Sequence, residues 1–265
     1  MKVTILNPEV LEHLYLNHGE FARTCYDTDE KYAEKVGRSC EESGHMSGSR
    51  CEYIKFRIEG IDRGTAEQIM RHEIGTGISH NEMDNWSFSD YSEAVIDVSP
   101  DQIVKNMASF RYIDKSGFDY VVPGVIRKDR DTLDKYRDIM NCLNIERENL
   151  KNLLLSHGAD EKKVIEAVNF ILPRATTSTL TVGFTPEALI HFCHKRLCSR
   201  AQEFIRKIAK EMKQEVAKYN PIFASELVPH CQHLLWCPEG KMSCGAAMTK
   251  AELAGKLYLD EDDIK

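Results

Sequence analysis

The chain passes without a connecting loop from a threonine-dense strand, Thr176 to Phe184, into a helix start, Thr185-Pro186-Glu187. The threonine is a cap, the proline fits the first turn, and the acid sits at the positive end of the helix. Leu189, Phe192, Leu197, Phe204, Ile208 and Met212 then recur near helical spacing, which predicts one helix to about Tyr219. A strand that feeds straight into an amphipathic helix requires sheet and helix to share one core.

The same two periods alternate elsewhere. Val3, Ile5 and Leu6 suit a first strand ended by Asn7-Pro8, followed by a short helix from Pro8 to Arg23. Asp27 to Glu41 reads as a charged helix that ends at Ser43-Gly44-His45. From Tyr53 to Ile61 the apolar residues Ile54, Phe56 and Ile58 alternate with Lys55, Arg57 and Glu59, as in a half-buried strand. Asp62 then caps a helix through Glu73. Trp86 to Ile96 favours strand, Asp97 to Phe110 helix, and Phe118 to Pro123 strand. A long helical pattern covers Asp129 to His157 and stops at Gly158, and Asp160 caps the next helix before Pro173. The tail from Pro221 reads as irregular and cysteine-rich, with loose acidic residues at its end. The expected fold is α+β: a single domain with a mixed or antiparallel sheet packed by helices. It covers 1–223, with a cysteine-rich tail and acidic end over 224–265.

Composition narrows the function. With 265 residues and 42% hydrophobic content the chain can bury a core, and its net charge of -7 argues against a protein that coats nucleic acid. It lacks a basic stripe with interleaved aromatics. No apolar run is long enough to span a bilayer, and the first residues lack the apolar core of a signal peptide. Nine cysteines, an odd count without an export signal, suggest reduced thiols and a cytoplasmic protein with no membrane partner.

The densest polar motif is Gln68-Ile69-Met70-Arg71-His72-Glu73, followed at Ser79 by Ser-His-Asn-Glu82. Arg71 offers a planar fork of donors that fits phosphate or a flavin carbonyl. His72 can stack, donate or accept. Glu82 and Gln68 suit the edge of a pyrimidine. The alternative is a surface loop with ordinary charges.

The order of segments resembles the flavin-dependent thymidylate synthase family. Arg23-Thr-Cys-Tyr26 is similar to that family's Arg-x-Cys-Tyr, and Glu42-Ser-Gly-His45-Met-Ser47 to its Glu-Ser-Gly-His-x-Ser turn. Gln68-x-x-Arg71-His72 resembles the start of its signature, Arg-His-Arg, seven residues, then Ser. Leu172-Pro173 resembles its Leu-Pro before a threonine strand. Leu189-Ile-His191-Phe192, Arg196-Leu197 and Ala201-Gln202 resemble its late helix. The resemblance spans roughly residues 1 to 223.

That resemblance implies a homotetramer with FAD held where subunits meet, and reductive methylation of deoxyuridine monophosphate. Methylenetetrahydrofolate would give the one-carbon unit, and FAD recharged by NADPH the hydride. It implies Arg196 as the catalytic residue that lets the pyrimidine imide ionise. Arg71, His72, Glu82 and His191 would hold the flavin; Gln68, Arg71, Glu82, Asp84 and Arg196 would hold the nucleotide. Arg196 could instead pair with Glu203, and His191 could be a structural histidine.

The signature is degenerate. Its third residue, arginine in the family, is Glu73; the loop from His72 to Ser79 is longer by three residues; the signature serine falls on Asp84 and the next arginine on Trp86. The histidine after the Gly-His-x-Ser turn falls on Cys51, which is either a thiolate beside Arg50 or a small buried thiol. The arginine before Leu-Pro falls on Asn169, and the family's Asn-x-Arg on Thr185-Pro186-Glu187. These exchanges make the pocket more negative by roughly six charges. Each lost bidentate arginine costs about 1.5–3 kcal/mol toward phosphate. Arg50, Arg174, Lys195 and Arg200 are the possible replacements. The alternative to an enzyme is a relative that binds flavin or nucleotide without methylating it.

In the tail, Cys231, His233, Cys237 and Cys244 have the ligand types for zinc, with a turn at Pro238-Glu-Gly240. Their spacing is not a Cys-x-x-Cys pair, and a reduced tail packed on the core is the alternative.

Overall fold

The computed structural model describes residues 1–72 and 103–260. Its strands are β1 (Lys2–Ile5), β2 (Ile54–Asp62), β3 (Ile103–Met107) and β4 (Thr177–Phe184), in one antiparallel sheet of order β1-β2-β4-β3. β2 buries Ile54, Phe56 and Ile58 and exposes Lys55 and Arg57, the period-two pattern of a half-buried strand. In register with them, β4 buries Phe184, Val182 and Leu180 on the same face. Its threonines 177, 179 and 181 are half-buried on the other face. The register shifts between Glu59 and Ile61, where Gly60 takes a φ of 73°. That bulge needs the left-handed backbone glycine supplies.

The helices are α1 (Glu9–Glu12), α2 (Leu14–Tyr26), α3 (Ala33–Glu42), α4 (Arg63–Met70), α5 (Gly124–Arg127), α6 (Arg130–Ser156) and α7 (Glu161–Val168). After the sheet come α8 (Pro186–Arg196), α9 (Glu203–Ala217), α10 (Pro221–Glu226), α11 (His230–Leu234) and α12 (Lys250–Asp260). The expected caps are in place. Asp62, Asp129, Asp160 and Thr185 each accept from an amide in the first turn of α4, α6, α7 and α8. α9 buries Ile205, Ile208, Ala209, Met212 and Val216, one stripe at helical spacing. This stripe joins the sheet's inner face in a core that continues through Phe223, Ala224 and Leu227. Each such large side chain contributes about 1.5–3 kcal/mol by leaving water.

Several elements differ from the sequence reading. Residues 103–107, expected to be helical, are strand: Ile103 to Met107 pair with Phe184 to Leu180 along the free edge of β4. The helix expected from Pro8 breaks at His13, and Asp27 closes α2 in a left-handed conformation (φ 47°), so the next helix begins only at Ala33. Phe118 to Pro123 contributes one bridge, Tyr120 to Thr176. The helix expected to reach Tyr219 is two helices. Gln202 caps the second by accepting from the Phe204 and Ile205 amides, each at 3.0 Å. The tail is more ordered than expected and carries α11 and α12. The strand expected at Trp86 to Ile96 lies outside the described residues.

α2 and α3 cross in close contact. A Cβ on Gly19 would stand 1.7 Å from the Ala33 carbonyl oxygen, and one on Gly37 1.9 Å from that of Tyr15, so only glycine permits this approach. The crossing buries Glu41, whose two carboxylate oxygens have no hydrogen-bond partner among the described residues. Burial first, then Glu226 of α10, raises its pKa from 4.5 to about 7. A carboxyl raised in the folded state stabilises fully below its unfolded pKa, and that stability is lost as pH rises through about 7. Glu41→Gln is therefore expected to exceed the parent in stability at pH 8 by about 1–3 kcal/mol, with the gap closing toward pH 4.5. Urea denaturation at both pH values checks this; a gap independent of pH contradicts it.

Candidate functional site

α8 and the end of α4 build the site. Thr185 caps α8 through the Ala188 amide at 3.2 Å. The helix buries Pro186, Ala188, Leu189, Phe192 and Cys193 against the sheet. The Phe184 and Phe192 rings lie 5.1 Å apart, which fixes the rotation of the helix. His191, His194, Lys195 and Arg196 are left off the buried face, the last three in its final turn, where cations meet the negative end of the helix.

α4 ends beside them. Arg71 is its C-cap, and His72 follows with its amide on the Ile69 carbonyl at 3.0 Å. Lys105 of β3 donates to the carbonyls of Met70 (2.9 Å) and His72 (3.0 Å). These are carbonyls that a helix end leaves unpaired. Lys105 thus holds the His72 backbone against the sheet. The His72 ring is buried, edge-on to Phe192 at 5.2 Å and tilted over His191 at 5.7 Å.

The electrostatics follow from that burial. His72 is pushed down to about 3, by desolvation first, then by Arg196, His191, Lys105 and Lys195. His191 is lowered by burial, then Lys195 and His230, with Glu187 opposing. Arg196 is half-buried and its pKa falls by desolvation alone, yet a guanidinium stays charged near neutral pH. The site therefore presents neutral imidazoles amid lysine and arginine charge. Among the described residues, His72 Nε2, Arg196 Nε and His194 Nε2 are buried without a hydrogen-bond partner. Such atoms cost about 1–3 kcal/mol each when left unmade. A planar, acceptor-rich, anionic ligand fits them: it could accept from Arg196 and lie on the rings.

Of the residues expected at the site, His72, His191 and Arg196 come together. Arg71 is exposed at the rim and Gln68 is half-buried on α4. Glu82 and Asp84, like Glu73, Ser79 and Trp86, lie outside the described residues. Arg196 does not pair with Glu203; that carboxylate takes Arg127 and the Gly124 amide at 2.7 Å. Glu187 is not left as a bare reversal of charge, because Arg50 grips it with two bonds of 2.6 and 3.2 Å. Asn169 has a structural task. Its amide donates to the Phe110 and Ile113 carbonyls at 2.5 and 2.9 Å, and its oxygen accepts from Arg147 at 2.8 Å. Arg147 is fully buried and paired with Asp114 and Glu148.

Sequence reasoning missed Lys105 and a basic cleft of about 640 Å³ next to it, lined by Arg63, Met70, Arg111, Asn169 and Arg174. Arg174 shares Glu67 with Arg63, at 3.0 and 3.7 Å, and Arg111 pairs with Glu166 at 3.0 Å. Arg174, one of the possible replacements, thus stands in a cleft that meets the site at Met70 and Lys105. No local pattern marks Lys105, since its acceptors are carbonyls more than thirty positions away.

The tail docks on the outer side of α8. The His194 ring stacks on His230 at 5.1 Å and lies tilted against His233 at 4.8 Å. Of the expected zinc ligands, His233 faces the His194 and His230 rings, and among the described residues no three His, Cys, Asp or Glu side chains form a group that could hold a metal ion.

Comparison with known proteins adds the family. The model of the thymidylate synthase complementing protein family matches residues 17–222. A flavin-dependent thymidylate synthase of Nitratidesulfovibrio vulgaris is 30% identical over 205 residues, 77% of this chain and 72% of that one. One of Clostridium tetani is 29% identical over 241 residues, 88% of this chain and 84% of that one. Among solved structures, the flavin-dependent thymidylate synthase ThyX of Helicobacter pylori, complexed with FAD and dUMP, has a similar fold. Its TM-score is 0.51 at 16% identity, over 84% of this chain and 98% of that one.

The burial of His72 has a direct consequence. Its imidazole is expected to stay neutral down to about pH 4, and Arg196→Ala, by removing the positive charge that acts on it most, to raise its pKa. Imidazole NMR titration checks both. A His72 that titrates near 6.5 in the parent contradicts the account.

Proposed function

The chain belongs to the flavin-dependent thymidylate synthase family, and from that premise we propose that it reductively methylates deoxyuridine monophosphate or a related pyrimidine nucleotide. Methylenetetrahydrofolate is the proposed one-carbon donor and NADPH the reductant. FAD, when bound, supplies the hydride. The observation that carries this reading is the convergence of His72, His191 and Arg196, where two buried polar atoms have no partner among the described residues.

The chain's own residues have the following roles in this proposal. The His72 and His191 imidazoles, kept neutral by burial and by the neighbouring cations, seat the flavin ring without repelling Arg196. Arg196 lies against the pyrimidine and stabilises negative charge as the imide ionises. A half-buried guanidinium does this better than one in water, because the local dielectric is lower. Lys105 fixes His72 through two backbone carbonyls and so positions it. Gln68, Arg71, Glu82 and Asp84 contact the nucleotide, and Arg71 and Glu82 also the flavin. Arg174 and Arg63, in the adjoining cleft, take over phosphate contacts from the arginine that Asn169 replaces. The site is completed between subunits of a homotetramer in the cytoplasm.

One observation favours the second reading, a binder without methylation. Asn169 is committed to the Arg147 network and offers the nucleotide no positive charge. The two readings part in one experiment. Purified protein is expected to bind FAD, seen by visible absorbance, and to release tritium from C5 of labelled deoxyuridine monophosphate with folate and NADPH present. Arg196→Ala is expected to lower that release by about 10²–10³-fold while FAD remains bound. FAD binding with no release in the parent favours the binder; no FAD binding at all defeats the enzyme and leaves of the second reading only a nucleotide binder.

A further inference from the structure

The tail returns to the core beside Arg196. Leu227 is buried in the core, and α11 opens soon after it at His230. α11 is a short turn of helix, with the Gln232 and His233 amides on the Pro229 carbonyl at 2.9 and 3.4 Å. Residues three apart on a helix share a face, so His230 and His233 point the same way. Both rings meet His194 in the last turn of α8, and His230 lies nearly parallel to it, with 8° between the planes. The His194 Nε2 is buried, without a partner among the described residues. α11 buries none of its own residues, so contact with His194, and not core packing, docks it. Leu235 (φ 63°) then turns the chain, and the tail reaches the turn that follows α8, where Arg200 donates to the Ser243 carbonyl at 3.1 Å. The Cys237 amide on the Met248 carbonyl, at 2.8 Å, closes this stretch on itself. The tail therefore grips the chain at His194 and again at Arg200, on either side of Arg196. Two further bonds hold the same turn. Arg206 donates to the Ser199 carbonyl at 3.1 Å, and Thr65 to the Gln202 side chain at 3.5 Å.

We infer that the tail is a strap that holds Arg196 in the site, and that His194 is the positioning residue on which it fastens. Arg196 is the last residue of α8, and helix ends fray because their final carbonyls have no partner within the helix. Its half-buried guanidinium would gain hydration by swinging outward. Bracing the chain on both sides of that residue opposes the fraying by which it would leave. The imidazole stack suits the task because its rings are neutral and do not repel. Burial, then His233, His230 and His191, pushes His194 down to about 4. His230 is lowered by burial, His233 and Lys195, against Glu239. The strap lies beyond residue 222, where the family match ends, so the family pattern does not account for its contacts. Its bearing on catalysis rests on the proposed reaction; its hold on Arg196 does not.

The test follows hydrogen exchange of the Arg196 Nε–H by NMR in the full chain, free of flavin and nucleotide. His194→Ala and the double variant His230→Ala/His233→Ala are expected to exchange it about tenfold faster than the parent. His194→Phe, which keeps a ring in the stack, should retain the parental rate. The Nε–H of Arg147, buried in a separate network, is the internal control. Should His194→Ala fail to fold, the double variant decides, since His230 is half-buried and His233 exposed. Unchanged Arg196 exchange in the double variant overturns the strap. So does equal acceleration at Arg147, which marks general loosening. If the parent releases tritium, the double variant should lower kcat about tenfold with FAD bound and the KM for nucleotide unchanged; an unchanged kcat overturns the strap's part in catalysis. A parent that releases no tritium defeats the proposed reaction alone, because the exchange measurement needs neither ligand.

Discussion

The passage from β4 into α8 without a loop governs the site. Phe184 ends the strand, Thr185 caps, and Pro186 opens the helix, so neither position nor rotation of α8 is free. The pairing of Phe184 with Phe192 sets the phase, and helical geometry does the rest. With Phe192 and Cys193 inward, His191 and Lys195 must fall off the core face, and Arg196 must end the helix at its border. His72 closes the arrangement from the other side, because the ring that packs on Phe192 is held by Lys105 through the end of α4. A side chain replaced at Phe192 would therefore disturb three functional groups without touching any ligand.

Charge balance shows how the chain tolerates its departures from the family pattern. The exchange that places Glu187 in α8 is met by Arg50, which sits in the turn before β2 and grips both carboxylate oxygens. An exposed pair of this kind adds at most about 1 kcal/mol to stability. Its larger effect is on the local field, where it offsets a negative charge that faces His191. Asn169 shows the opposite solution. There no cation is restored at the position itself, and the buried Arg147 serves Asn169, Asp114 and Glu148 instead. A buried guanidinium without such partners would cost several kcal/mol, so this network is a structural element and not a displaced phosphate site. Of the roughly six-charge deficit expected from the sequence, the part on Glu187 is thus offset by Arg50, while the parts on Glu73 and Trp86 lie outside the described residues.

The parts legible in the sequence were those whose cause is local. Asp62, Asp129, Asp160 and Thr185 cap helices through their own first turns, so their neighbours sufficed to place them. The alternation of β2 and the stripe of α9 were equally plain. Ile103 to Met107 was not, because five apolar and polar residues without a clear period become strand only when the edge of β4 is beside them. The break after Arg196 was hidden for a related reason: apolar spacing continues across it, and the Gln202 cap acts only once the chain has turned. At the site, His72, His191 and Arg196 could be named from motif, whereas Lys105, Arg63 and Arg147 act on partners far away in sequence.

Arg196 draws these strands of argument together. It stands between two helices whose ends are both tied to α4. Thr65 donates to the Gln202 side chain at 3.5 Å near the start of α4, and His72 meets Phe192 at its end. Its Nε is buried without a partner among the described residues, and its charge is partly stripped of water. A flexible arginine in that state would swing out to solvent and recover its hydration. The frame of α4, α8 and the turn to α9 resists this, so the desolvation is stored in the folded chain and not incurred when a ligand arrives. Groups oriented in advance need no reorganisation as charge develops, which is the condition under which a single guanidinium has most effect on a reaction. Stability spent on holding Arg196 in place is what leaves its guanidinium ready for negative charge in the proposed reaction.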